Sequence, residues 1–560
     1  MRSVLSHYVR FVFLFVVASA ALFAGSSSWT DLKGNTFKGE PQGVYGPFAL
    51  FKTGPAKGRR VLLRMLSPAD CVRFYKEIAS KPDRAADWSQ AKSSVSVDLK
   101  GRMYRLDKEA LVEASFKGLP EPELYVLLFA SQWEGGSYDL PWWFLPTYNR
   151  LRRLYGNQME TVFFGVRQDA QGNRSFAKAT RLQWLVSDYN AQQFIEVYQR
   201  FAPEQSLSMV LVTREGVPLA NTEVGTQIGM KKFIDEICSF MAAGDELNPL
   251  FFADRAYYLS NIRPVQFADK AAPPLLIGNP LRASMFRKNK VDRISAMLEI
   301  AEDGKVTSAV INNKDSMPPA MAVALEKALK ANFVFVPAIE RGKPIAASYD
   351  FEYNVSDEEI AREADRDWVF MSARKEFSIP SWLLLRPIPV PAIEFSQVDH
   401  EDAEGKYVMT AVKVGKETVS NRAQMSAFRS DFFDKEGVAS VAPFIGQPVE
   451  IDEQTYKWEQ YESKDGFVDL RNKSDCDHSV GYAWAEFESD QAGPAYLGLG
   501  SDDGVKIWLN GKLVHDRWVQ RITQIDEDVV PLQLAAGKNT ILIKIQNAKG
   551  GWSFCFRLRR

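Results

Sequence analysis

The chain has 560 residues, 46% hydrophobic and 25% charged, with a formal net charge of −1. That length exceeds what one hydrophobic core organises, so about three to four domains are expected. The composition excludes wholesale disorder and fibrous repeats, and the charge balance removes any global electrostatic case for a nucleic-acid partner. Aromatic residues make up 12% of the chain, and its thirteen tryptophans are many to bury, which leaves some for binding surfaces.

Residues 1–25 read as a secretory leader. Arg2 and Arg10 supply positive charge, Phe11 to Phe23 is an unbroken small or apolar run, and Ala18, Ala20 and Ala24 offer cleavage positions. A spanning helix needs roughly 20 apolar residues and this run is shorter. The expectation is a periplasmic or secreted protein without stable membrane insertion; an uncleaved N-terminal anchor is the alternative. Four cysteines, Cys71, Cys238, Cys476 and Cys555, are few for an exported chain of this length. Cys476 and Cys555 either pair or stay separate as buried thiols. Asp475, Cys476, Asp477 and His478 lack a second ligand pair at zinc spacing and read as a loop.

From Trp29 short apolar strands alternate with Gly and Pro, and Ser67-Pro68-Ala69-Asp70 starts a short helix through Ile78, with Pro68 at its first turn. The pattern W-T-x-x-x-G, a strand pair and L-S-x-x-D before a helix resembles the small Src-homology-3-like barrel of exported bacterial proteins. The resemblance covers 27–80 and implies a docking or spacer module. Residues 81–119 are polar with mixed helical signals and read as a connector.

From Glu123 the pattern becomes β-α-β. Leu124 to Ala130 is a continuous apolar run, the mark of a strand covered on both faces. Leu145, Tyr148, Leu151, Leu154 and Tyr155 follow at helical spacing, with Arg150, Arg152 and Arg153 expected on the exposed side. Thr161 to Val166 is the next strand, Met209 to Val212 opens a hairpin, and Lys231 to Ala242 closes as an amphipathic helix. The segments YVLLFASQW, METVFFGV and SMVLVTREG, in that order, resemble a thioredoxin fold of the nucleoredoxin/tryparedoxin kind over 120–243.

The departures from that family bear on function. Its C-x-x-C would fall at Glu134-Gly135-Gly136-Ser137, and no cysteine lies between Cys71 and Cys238. Thiol–disulfide exchange needs a thiolate and a resolving thiol. Leu207 stands where the family's cis-proline would be, and Ser137 has no G-x-S-x-G context and no neighbouring His. The expectation is a redox-inactive scaffold, not an enzyme.

A proline-containing linker is expected over 244–280. Ile294, Ala296, Leu298 and Ile300 then alternate into a Glu302-Asp303-Gly304-Lys305 turn, Val306 to Ile311 pairs back, and Pro319 to Ala331 is helical. Gly304, Val306, Phe335, Pro337, Ala338, Gly342, Lys343 and Pro344 resemble the TonB C-terminal domain over 281–356. That family implies docking by β-augmentation at the last strand. The charged run Asp357 to Asp367 reads as a solvated helix in a 357–377 linker.

From Phe377 the chain is all-β. Val505, Ile507 and Leu509 alternate with Lys506, Trp508 and Asn510, the pattern of a half-buried strand. Asn510-Gly511 is the dipeptide of a type I′ hairpin, and Ser501-Asp502-Asp503-Gly504 reads as a tight turn of an antiparallel meander with two carboxylates at an exposed tip. Trp382, Trp458, Asp465 to Leu470, Ser501 to Gly504, Trp508 to Gly511 and Leu534 to Ile545 resemble, in order, the protective-antigen/galactose-binding-like β-sandwich over 378–560. In lectin-like members adjacent aspartates bind calcium, and the calcium binds sugar hydroxyls. The resemblance therefore nominates Asp502 and Asp503 as calcium ligands, Asn510 as a contributor and Trp508 as a stacking platform. Such a turn is equally well explained by Asp side chains bonding their own backbone.

The expected fold class is thus multidomain α/β plus all-β: a small barrel, a thioredoxin-like domain, a β-β-α-β unit and a jelly-roll-type sandwich. The expected function is a non-catalytic exported binding or scaffold protein engaging glycan or envelope components through the sandwich. The alternatives are an envelope assembly protein docking protein partners through its thioredoxin-like and TonB-like domains, and, third, a thioredoxin-fold enzyme with a degenerate site.

Overall fold

The computed structural model describes residues 27–54, 57–79, 87–108, 110–131, 139–203, 207–223, 226–245, 263–268, 270–278, 281–287, 289–372, 376–390, 399–401, 407–409, 413–414, 417–418, 422–430, 432–433, 441–472 and 476–560. The leader, Glu134, Ser137 and Asp475 lie outside them. The chain divides into two compact units, 1–141 with 151–370, and 142–150 with 371–560.

The first unit opens with a four-stranded antiparallel sheet in sequential order: β1 (Ser27–Thr30), β2 (Thr36–Tyr45), β3 (Phe48–Gly54) and β4 (Lys57–Leu62). Helix α1 (Pro68–Ala79) closes it. The Ser67 hydroxyl accepts the Asp70 amide at 3.2 Å, and the Asp70 carboxylate accepts the Thr30 amide at 2.6 Å. The L-S-x-x-D segment thus both caps the helix and ties it to β1. Trp29, Phe51 and Phe74 are wholly buried at the centre.

The expected connector is part of the next domain. Helix α2 (Ser94–Leu99) packs beneath a seven-stranded sheet to which β5 (Met103–Asp107) and β6 (Ala110–Glu113) contribute. The remaining strands are β7 (Leu124–Ala130), β8 (Met159–Gly165), β9 (Leu185–Ser187), β10 (Ser208–Thr213) and β11 (Pro218–Glu223), in the order β11-β10-β7-β8-β9-β5-β6. Trp88, Val95, Leu99, Met103 and Phe116 sit in its core. They are too widely spaced among polar residues to show as one periodic stripe. Helices α3 (Asp139–Tyr155), α4 (Ala170–Ala179), α5 (Glu196–Phe201) and α6 (Gln227–Gly244) complete the fold. Every residue of β7 and β8 is buried, and the two strands run parallel, as continuous apolar runs require.

The described part of the expected linker is also structured. After α7 (Arg263–Gln266), β12 (Ala271–Ala272) and β13 (Leu275–Gly278) pair with later strands. Helix α8 (Ala283–Arg287) precedes β14 (Arg293–Ile300) and β15 (Val306–Ile311). Helix α9 (Pro319–Asn332), β16 (Val334–Val336), β17 (Ala338–Glu340), β18 (Lys343–Ile345) and β19 (Ala347–Asn354) follow. The main sheet is β15-β14-β19, so β19 is an edge. Helix α10 (Asp357–Met371) is not the solvated helix its charge suggests: Glu363 and Asp365 are buried. Glu363 accepts the Ala283 amide and, at 3.0 Å, the Tyr353 hydroxyl, while Asp365 pairs with Arg153 at 2.8 Å. Charge alone did not reveal these partners, because they lie far away in sequence.

The second unit is a two-sheet sandwich. Its strands are β20 (Glu376–Phe377), β21 (Ser381–Pro389), the small hairpins β22 (Asp399–Glu401) with β23 (Tyr407–Met409) and β24 (Lys413–Val414) with β25 (Glu417–Thr418), then β26 (Pro448–Ile451), β27 (Gln454–Lys457) and β28 (Glu459–Glu462). After them come β29 (Phe467–Asp469), β30 (Ser479–Ser489), β31 (Gly493–Ser501), β32 (Gly504–Leu509), β33 (Lys512–Arg517), β34 (Asp528–Leu534), β35 (Gly537–Asn547) and β36 (Ser553–Arg559). One sheet runs β28-β21-β30-β35-β32-β33, and the other β20-β36-β31-β34 with β29 beside β36. Side chains of both sheets meet in one apolar core. Helix α11 (Arg422–Arg429) presents its last carbonyls to the buried Lys544, whose ammonium donates to Ala427, Phe428 and Ser430 at 2.8, 3.0 and 2.7 Å. Arg150, expected on the exposed side of α3, is instead 2% exposed and donates to the Asp526 carbonyl at 2.7 Å.

Candidate functional site

Val505, Ile507 and Leu509 of β32 point into the core, and Lys506 and Trp508 face the other way. Asn510 and Gly511 have φ of 50° and 76°, the positive values a type I′ turn needs. Ser501 to Gly504 departs from the expected meander. β31 belongs to one sheet and β32 to the other, so this segment carries the chain across the sandwich. A corner of that kind is packed from both sides, and Asp502 and Asp503 are 7% and 6% exposed where an open tip was expected. A strand, a polar turn and a strand look alike in sequence whether they form a hairpin or change sheets.

Asp503 is held firmly. Its Oδ1 accepts the Arg521 amide and its Oδ2 the Ala548 amide, both at 2.7 Å. Its own amide donates to the Gln546 carbonyl at 3.0 Å. Arg521 clamps the same corner, donating to the Ser501 carbonyl at 3.1 Å and to Ser501 Oγ and Asp528 Oδ2 at 2.7 Å, with Glu527 3.0 Å from its Nε. Burial raises the Asp503 carboxyl above the usual carboxylate range, against the pull of the two amides and Arg521. His515 lies 3.5 Å from Asp528. Burial, then the nearby Arg521 and Arg517, push its pKa down to about 4, so it is neutral at pH 7.

Asp502 differs. Its amide donates to the Ser553 carbonyl at 3.0 Å, yet no hydrogen-bond donor reaches its carboxylate among the described residues. Burial, then the charge of Asp503, push its pKa up to about 8 despite Arg471 and Arg521. Gly551 is pressed against it: a Cβ there would lie 2.6 Å from Asp502 Oδ2. Asn547, at the end of β35, is wholly buried; its Nδ2 donates to the Cys476 carbonyl at 2.8 Å, and its Oδ1 has no partner among the described residues. Its chain neighbours Gln546 and Ala548 both bond Asp503 through their backbone, which sets the Asn547 backbone beside the same corner.

Two carboxylates and an amide oxygen, richer in acceptors than in donors, suit a hard cation with oxygen ligands. Asp502, Asp503, Asn547 and nearby backbone carbonyls would hold it. No group of three or more His, Cys, Asp or Glu among the described residues is arranged for a metal, so a ligand set built from those four residue types alone is not present there. Sequence reasoning missed Asn547; the available signal was an amide continuing the alternate positions of Ile541, Ile543 and Ile545.

The other sequence-nominated residues are not brought to this corner. Asn510 closes the far end of β32, donating to Asn539 Oδ1 at 2.9 Å and accepting the Thr540 amide at 2.8 Å. That is roughly 20 Å along the strand from Asp503. Trp508 is partly buried and packs against the cluster containing Trp484 and Leu542. Leu207 is 5% exposed at the entrance of β10; Glu134 and Ser137 lie outside the described residues. All four cysteines are free and buried, so Cys476 and Cys555 are separate thiols. Burial pushes the Cys71 thiol up to about 11.

The fold and these sites define a multidomain protein of many sheets and a minority of helix, and comparison with solved structures shows a thioredoxin-like likeness over about a fifth of the chain. It is similar to thioredoxin from Wuchereria bancrofti at 11% identity and a TM-score of 0.17, over 19% of this chain and 69% of that one. It is similar to native tryparedoxin I from Crithidia fasciculata at 15% identity and a TM-score of 0.19, over 23% of this chain and 85% of that one. A GH31 α-xylosidase from Xanthomonas citri is similar at 23% identity and a TM-score of 0.13, over 14% of this chain and 9% of that one. No protein-family model matches the chain, and no curated protein does. Among the described residues, no helix is long and apolar enough to cross a membrane.

Proposed function

We propose that this chain is a non-catalytic, exported binding and scaffold protein whose sandwich takes calcium at the Asp502, Asp503 and Asn547 corner and engages a glycan or other envelope component there. The observation that carries the reading is the pair of unsatisfied oxygen groups, the Asp502 carboxylate and Asn547 Oδ1. A buried acceptor without a donor costs about 1–3 kcal/mol, more when charged, and a cation removes that cost. Calcium would neutralise the acidic pair and offer open coordination positions to sugar hydroxyls. Calorimetric titration of calcium into the full chain tests this: saturable binding, weakened about tenfold or more by Asp502→Asn, is expected. A folded protein that takes up no calcium would sink the reading. A glycan array run with and without calcium then tests the ligand class.

A second reading, a docking protein for envelope partners, is favoured by the edge of β19. Its eight residues pair with β14 on one side, and among the described residues no backbone hydrogen bond covers the other. An extended partner segment adds to such an edge. Replacing Asp350 by Pro, which removes one donor from the strand, would abolish co-purification of that partner while leaving calcium binding intact.

A further inference from the structure

A polar cavity of about 320 Å³ opens in the thioredoxin-like domain, lined by Tyr189, Asn190, Gln192, Gln193 and Tyr198. These residues lie on the turn Tyr189–Phe194 and on α5, directly after β9. The cavity therefore sits beyond the carboxyl ends of the parallel strands β8 and β9, where open α/β sheets present ligands. Its floor is fixed. With the Gln192 carboxamide turned to satisfy both its ends, it donates to the Gly165 carbonyl at 3.0 Å and accepts the Gly165 amide at 3.1 Å and the Ser187 hydroxyl. Gly165 ends β8 and Ser187 ends β9. The Tyr198 ring packs on Phe164 and Phe129, with centroids 5.5 and 6.2 Å away.

The walls, in contrast, are free to bind. Among the described residues, neither the Tyr189 nor the Tyr198 hydroxyl has a hydrogen-bond partner, and neither does the Asn190 carboxamide. The nearby charge is already engaged: Asp188 accepts the Asn190 amide at 3.0 Å to hold the turn. Phe194, the last residue of the turn, is 65% exposed.

No charged side chain lines the cavity, so an ionic ligand would lose its hydration without a counter-charge. A wholly apolar ligand would leave the amides and phenols unpaired. What remains is a neutral ligand whose groups both donate and accept, as carboxamides and phenols do, with an apolar face for an aromatic ring. We propose that this cavity binds a neutral saccharide, independently of any metal. The volume lies at the small end of ligand pockets, about 300–1,000 Å³, and so suits a terminal sugar or short oligosaccharide.

This site goes beyond the sandwich reading and can fail separately from it. The experiment is calorimetric titration of the full chain with cellotriose and with triacetylchitotriose, each at millimolar concentrations and in EDTA. Saturable binding of at least one probe is expected, weakened about tenfold or more by Tyr189→Ala and by Asn190→Ala, with unchanged thermal unfolding and unchanged binding by Asp502→Asn. Asn190 is exposed and makes no side-chain bond, so its loss leaves folding intact. If neither probe binds, or if both variants bind as tightly as the parent, the proposal is overturned. Saccharide binding seen only with calcium and lost in Asp502→Asn would also overturn it while supporting the sandwich site.

Discussion

Buried acids are treated differently in the two units. In the thioredoxin-like domain, Glu160 is 1% exposed and pairs with Arg105 at 2.5 Å. Glu121, 2% exposed, accepts the Ser93 hydroxyl and, at 2.7 Å, the Ser96 hydroxyl, with Arg214 3.7 Å away. Each has its donors. In the sandwich, Asp526 is held by Arg557 and Asp528 by Arg517 and Arg521. The Asp502 carboxylate, on a residue 7% exposed, receives no hydrogen bond among the described residues. Burying a carboxylate is costly unless it is paired, so an acid held by a cationic partner reads as architecture and one that receives no donor as a place for a ligand.

The largest effect that can break this contrast is at a buried ion pair. Arg557 and Asp526 are both wholly buried, and Asp526→Ala would leave the guanidinium with Glu376 alone, 2.9 Å from its Nε. Because Glu376 still compensates part of the charge, a loss of up to about 3–5 kcal/mol is expected from denaturant unfolding of the sandwich transition. A loss below about 1 kcal/mol would show that water already reaches the pair.

Asp502 sharpens the comparison through pH. Its folded pKa, about 8, lies above the ordinary 3.8, so the folded state holds the proton that the unfolded state releases. Its contribution to stability is full below the ordinary value and is lost as pH rises through about 8. In calcium-free buffer, thermal unfolding of the parent should therefore fall with rising pH across that window, and Asp502→Asn should flatten the slope. Calcium, competing with the proton, should bind more tightly as pH rises. A parent and variant with the same slope would mean that Asp502 is solvated.

A smaller effect is expected in the N-terminal sheet, where polar groups only cap. Ser67→Ala removes the acceptor for the Asp70 amide and should cost about 1 kcal/mol in urea unfolding. The smallest expected effect is none. With no cysteine between Cys71 and Cys238, the chain should show no insulin-reducing turnover, in the parent or in Cys71→Ser. Turnover at a thioredoxin-like rate would restore the enzyme reading.

Elements whose identity rests on their own residues were legible in the sequence. The unbroken apolar run Leu124 to Ala130 is β7 residue for residue, and the alternation from Val505 to Leu509 places the core face of β32 correctly. Asn510-Gly511 sets its turn because both φ values must be positive. These are local properties, fixed by side-chain period and backbone sterics. The tertiary structure alone decided which segments share a sheet. It drew 81–119 into the thioredoxin-like core, buried Glu363 and Asp365 of a helix that reads as solvated, and turned the Ser501–Gly504 hairpin into a change of sheet. It also moved the candidate site. Asn510, seven positions from Asp503 in sequence, lies at the other end of a rigid strand, while Ala548, 45 positions away, donates to its carboxylate. Period and propensity act between residues a few positions apart, whereas a binding corner is made where distant strand ends meet, and that meeting is set by packing the two sheets.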